Sequence, residues 1–292
     1  MILGIVGAAL VRTFTKQQQV YKDSAKTATM RRELRLGGMM LPQDVRSISS
    51  AGGDVLEMTE QRFAFLGTYG SAVICNRTAT TFDIMPTNLS RHTMTTWISR
   101  PVPGDTVFAY NDSLLAGAED DAWQKLTITD FAQNTATCPG APYADPALDP
   151  PGTKPRFRVT VSSPTGGNIA DSVRVGAVVR FTRPMRYELL QSAGSGAWYL
   201  NYSEYLNGVW STPTPVSGPY RAFVAGDGNP SGLQFRYYDS TGTRLTAIAQ
   251  KLRLSRLDVF LRAEGGASAV SERKGALMTD STIFRIALRN FK

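Results

Sequence analysis

The residue types most used for chemistry are sparse and scattered in this chain of 292 residues. Histidine occurs once, as His92 in Arg-His-Thr-Met, with nothing like a nucleophile elbow beside it, so a Ser-His-Asp or Cys-His arrangement lacks its parts. The pieces Gly194-Ser195-Gly196 and Gly265-Gly266 lack the Gly-x-x-x-x-Gly-Lys spacing that cradles phosphate and read as turns. Glu119, Asp120 and Asp121 form the one acidic run. Their oxygens suit calcium, but the spacing is not that of an EF-hand loop, and a solvated turn is the simpler reading. No catalytic residue, metal ligand, cofactor or small-molecule substrate is assigned, and no enzymatic activity is expected.

Cys75 and Cys138 are the only cysteines. In an oxidising compartment a bond between them would close a loop of more than sixty residues, which the chain-entropy model values at about 4 kcal/mol. Two buried free thiols are the alternative. With one histidine, the usual Cys/His zinc spacings are absent.

Lys and Arg outnumber Asp and Glu by 32 to 24, a net charge of +8, which permits attraction to nucleic acid, anionic lipid or an acidic partner. Many arginines alternate with apolar residues, as in Arg156-Phe157-Arg158-Val159, so a solvated outer sheet face explains them. The aromatic run Trp198–Tyr205 fits strand composition, although stacked bases or sugars would suit the same rings.

The elements that position these residues fall into two kinds. Met1 to Val11 is an uncharged apolar run of eleven residues, too short to span a bilayer, which needs about 20. A polar helical pattern follows, with no proline before Pro42 and no glycine between Phe14 and Gly37. Steps of three and four pick out Val20, Ser24, Thr27, Met30, Leu34, Gly38 and Leu41 as a narrow stripe for docking on a sheet. Gly37-Gly38 should weaken or end the helix, and Pro42 is placed to begin a short second one.

Beyond about residue 53 the period changes to two. Phe157, Val159 and Val161 share a face, as do Val173, Val175, Ala177, Val179 and Phe181, and Leu233, Phe235 and Tyr237. Residues 227–230 and 240–243 read as turns. In KLRLSRLDVFLR the phase slips between Leu254 and Leu257, predicting a β-bulge near Ser255-Arg256. Phe284, Ile286 and Leu288 point inward against Arg285 and Arg289. The six prolines of 137–155 mark an irregular surface loop. A single elaborate domain is preferred, with that loop the one place for a boundary.

The stretch ILGIVGAALVRTFTKQQQ resembles the second half of the N-terminal helix of type IV pilins and type II secretion pseudopilins. LQFRYYDSTGT, LRLSRLDVFLRAE and the final IALRNFK look like the tail of minor pilins and of the J-type minor pseudopilin. The family's peptidase site and early glutamate have no counterpart here, because Met1 falls in what looks like mid-helix, so an earlier true start is expected.

The resemblance implies an α+β, pilin-like fold: a helix over 1–41, with 1–11 its membrane or filament-core part, packed on a large antiparallel β domain over 42–292. It implies a structural minor pilin or pseudopilin, held in a bacterial inner membrane by a single pass, with its globular domain in the periplasm or in an extracellular filament. Its partners would be other such subunits, joined through Leu3, Val6, Leu10 and Phe14. The alternative is an envelope β domain that recognises DNA or a surface ligand through a basic sheet face.

Overall fold

The computed structural model describes residues 2–91, 93–112, 122–134, 136, 138, 145, 147–150, 153–154, 156–226, 231–267 and 277–288. His92, Glu119 to Asp121, the turn at 227–230, Arg289 and most of 137–155 lie outside them.

Strand dominates: 45% of the described residues against 18% helix. This overturns the α+β, pilin-like expectation. The described residues hold one α-helix, a short 3-10 turn and fifteen strands, so the molecule is mainly antiparallel β with a single helical element. The helix expected over 1–41 is present, at Ile2–Val45; what changes the class is that this one helix is set against fifteen strands.

The chain forms two compact units, which exchange the backbone at 65/66, 185/186, 203/204 and 211/212 rather than at the Pro-rich loop. Three of these four crossings fall inside strands, where period-two patterning continues unbroken, and so leave no compositional mark.

One unit comprises 66–185 and 204–211. It contains most of β2 (Arg62–Arg77), then β3 (Thr81–Ile84), β4 (Thr96–Trp97), β5 (Thr106–Asn111), β6 (Ala122–Gln133), β7 (Phe157–Ser162) and the first part of β8 (Val178–Gln191). The order β2-β3-β7-β6-β5-β8, with β8 also paired to β2, closes six strands into a ring. Closure leaves these strands no unpaired edge. Val107, Leu126, Ile128, Val159, Val161, Val179 and Phe181 are buried in this unit. β8 starts at Val178, later than the alternation suggested, and Val175 is exposed. Cys75 and Cys138 form a disulfide, packed in a small cluster with Met85, Leu89 and Val73.

Two charged clusters are built into the same unit. Arg183 donates to both Asp105 carboxylate oxygens, at 2.9 and 2.8 Å, and to Glu204 at 3.0 Å. The Tyr69 hydroxyl donates to Asp105 at 2.6 Å, and burial, reinforced by that carboxylate, pushes the tyrosine's pKa up. Arg156 and Arg158 both pair with the buried Asp83. They are therefore tied to a carboxylate, and Arg156 is nearly buried at 11% side-chain exposure. The solvated-face reading fails for Arg156 but not for Arg158, whose side chain stays 43% exposed; Asp83, far off in sequence on the neighbouring strand, makes the difference.

The other unit comprises 1–65, 186–203 and 212–292. Its helix α1 runs without a break from Ile2 to Val45, through Gly37, Gly38 and Pro42, where an end and a restart were expected. The glycines serve close approach. A Cβ on Gly37 would lie 2.8 Å from Ser217 Oγ, and one on Gly38 would lie 1.8 Å from the Phe284 ring. Pro42 lies in the last turn, where it gives up one intrahelical N–H bond.

The sheet beneath α1 uses β9 (Trp198–Leu206), β11 (Thr214–Tyr220), β14 (Arg256–Ala267), β12 (Leu233–Tyr238) and β13 (Arg244–Leu245) in that order, with β15 (Leu277–Ala287) on the other side of β14. Leu257, Val259, Leu261, Ile286 and Leu288 are buried, and Arg285 is outward. No bulge occurs at Ser255-Arg256. Leu252 lies in a 3-10 turn, Ile248–Arg253, and β14 then pairs regularly with β15 from Arg256 to Glu264, so the phase slip marks a change of element.

Candidate functional site

α1 has two halves with different surroundings. From Asp23 onward one face is covered: Asp23, Met30, Leu34, Leu41 and Val45 are buried, as the spacing anticipated from Thr27 onward. Val20 is exposed, and Asp23 takes the place given to Ser24. Polar contacts fix the docking. Arg31 Nε meets Asp280 at 3.1 Å, Tyr187 donates its hydroxyl to Asp44 at 2.6 Å, and Tyr220, whose pKa burial raises to about 12, donates to the Glu33 carbonyl at 3.4 Å.

Before Asp23 the helix is bare. Val6 is 52% exposed, Leu10 66%, Val11 69%, Phe14 63% and Tyr21 77%; the side chain of Leu3 lies outside the described residues. At roughly 100° per residue, Leu10, Phe14 and Tyr21 fall on one side of the helix, and Val6 lies between that side and the docked one. Met30, Leu34, Leu41 and Val45 fall on the other. The bare stripe therefore does not continue the docked one, and further docking on the same sheet would leave it uncovered.

The polar groups of this bare half suit an apolar neighbour in part. Thr13 and Thr15 turn their hydroxyls back onto the carbonyls of Ala9 and Val11, at 2.9 and 2.8 Å, which satisfies both donors within the helix. Arg12 and Lys16 lie one turn apart, away from the Leu10 stripe, and no carboxylate precedes Asp23. No described helix is long and apolar enough to cross a membrane.

The described residues contain no cluster of His, Cys, Asp and Glu able to hold a metal ion. The chemistry available at the bare helix is association, by burial of its apolar stripe. What sequence reading missed lies elsewhere: the Asp105–Arg183 pair and the Asp83 cluster join residues 78 and 75 positions apart, and only strand order brings them together.

No family model, curated protein or solved structure matches this chain. The functional reading therefore rests on the geometry and on the resemblance of the N-terminal stretch.

Proposed function

We propose that this protein is a structural subunit that associates with further copies, or with related subunits, through the N-terminal half of its helix. The resemblance noted above suggests a minor pilin or pseudopilin of a type IV pilus or type II secretion system, with the helix toward the inner membrane or a filament core and the β-rich body outside it. The observation that supports this most is the bare apolar pair Leu10 and Phe14, turned well away from the docking face of α1, with the exposed Val6 beside them. A helix whose two sides are both apolar has two partners to satisfy, and the sheet supplies one.

The test is association of the full chain, followed by sedimentation in mild detergent and by recovery in filaments where the assembly machinery is present. The unsubstituted chain should self-associate. Leu10→Asp should remain monomeric while the body unfolds at an unchanged temperature. Association of Leu10→Asp equal to that of the unsubstituted chain would overturn the proposal.

A further inference from the structure

The docked half of α1 presents an outward face of its own, separate from the bare stripe. At roughly 100° per residue, Arg32, Arg35, Leu36, Met39 and Arg46 lie on the side away from the buried Leu34, Leu41 and Val45. Arg46 keeps the helical phase, because its amide closes a further turn onto the Pro42 carbonyl at 3.1 Å. Arg32, Arg35 and Arg46 are exposed, as are Leu36 at 39% and Met39 at 71%. Among the described residues none of the three guanidiniums has an ion pair. Arg31, beside them, is taken by Asp280.

The carboxylates of this half of the helix turn toward the body instead. Glu33 accepts from the Gly218 amide at 3.4 Å and Asp44 from the Tyr187 hydroxyl at 2.6 Å. A helix face in water gains from an acid three or four residues away from each arginine, and a same-sign pair at that spacing is unfavourable. Around Arg32 and Arg35 those positions hold Ala28, Thr29, Arg31, Leu36, Gly38 and Met39. At the far end of the face Met39, Pro42, Gln43, Arg46 and Ser47 line an open cleft of about 370 Å³. Positive charge and large apolar side chains thus share one side of the helix. A soluble oxyanion would answer the charge and leave Leu36 and Met39 in water. An anionic bilayer surface answers both, with guanidiniums at the level of the headgroups and apolar tips beneath them.

We propose that Arg32, Arg35 and Arg46, with Leu36 and Met39 between them, lay this half of α1 against an anionic lipid surface, a headgroup phosphate entering the cleft beside Arg46. The sheet that α1 docks on lies on the far side of the helix and does not stand between this face and a flat surface. The face shares no residue with the bare stripe at Leu10 and Phe14, so it stands or falls apart from the assembly reading.

Sedimentation of the full chain with vesicles of mixed phosphatidylglycerol and phosphatidylcholine, against phosphatidylcholine alone, tests it. Retention should be greater on the mixed vesicles, and the excess should shrink as salt is added. Each cation close to such a surface changes the partition about fivefold, so Arg32→Gln with Arg35→Gln should lower retention on the mixed vesicles by about tenfold or more. Leu36→Ser with Met39→Ser should lower it too, which an interaction through charge alone would not produce. Arg174→Gln, which removes an exposed arginine of the other unit, and Leu10→Asp should leave the excess unchanged. Equal retention on the two kinds of vesicle, or an excess lost in Leu10→Asp and kept in the double arginine variant, overturns the proposal. So does arginine-dependent capture of polyglutamate without a vesicle excess, which would give the face to an acidic protein segment.

Discussion

A Cβ on Gly38 would stand 1.8 Å from Cζ of Phe284, so the helix meets the last strand at a distance only glycine allows. On helix propensity alone, Gly38→Ala should gain about 1 kcal/mol. The overlap reverses the sign, since overpacking of this kind costs about 1–3 kcal/mol. Gly38→Ala should therefore lower the denaturation midpoint and raise hydrogen exchange along 23–45. Adding Phe284→Ala should restore part of the loss. A stabilised single variant would contradict the packing described.

The disulfide between Cys75 and Cys138 spans 63 residues. By the chain-entropy model, removing it should cost about 4 kcal/mol. Cys75→Ser with Cys138→Ser should show a lowered midpoint, and adding reductant to the unsubstituted chain should reproduce the shift. Identical midpoints with and without reductant would mean that the bond contributes little.

Asp105 and Arg183 are both buried, with side-chain exposures of 2% and 4%. Removing one partner of such a pair strands the other, at a cost of about 3 kcal/mol or more. Asp105→Asn is expected to lose that much, read as a shift in urea midpoint at constant slope. A loss below 1 kcal/mol would show that Glu204 alone satisfies the guanidinium.

Acid should act through Asp83. Burial raises its pKa, but hydrogen bonds from Arg158 and Asn76 and the charges of Arg156 and Arg158 outweigh that, and the carboxyl ends below its ordinary value. A folded pKa below the unfolded one gives stability that is complete above about pH 4 and is lost as the pH falls through the folded value. The stability of Asp83→Asn, lower at neutral pH, should decline less over that acidic range. Parallel acid limbs in the two proteins would assign the loss to other groups.

How much could be read from residues alone depends on range. The Thr27–Leu41 stripe, the strand faces at Val159, Phe235 and Ile286, and the turns at 194–196 and 240–243 are local patterns, and all are found in the structure. The continuity of α1 through Gly37 was not legible, because its reason is Phe284 and Ser217, far along the chain. The ring of six strands and the boundary inside β2 and β8 depend on pairing order, which period-two alternation does not encode. The exposed Leu10 stripe was legible as apolar. That Leu10 and Phe14 are turned away from the docked side follows only once the docked side is known.

The docking contacts of α1 advance in step along β15. Thr27 meets Met278, Arg31 meets Asp280 and Gly38 meets Phe284, so helix and strand run the same way. The bare segment ahead of Asp23 is a continuous rod of roughly 30 Å. A pull on this bare segment would be directed along the strand, and the docking contacts would resist it together in shear rather than parting one after another. A subunit held by that segment would pass tension from its neighbours into the sheet through many small contacts at once, a loading geometry suited to a part that bears force.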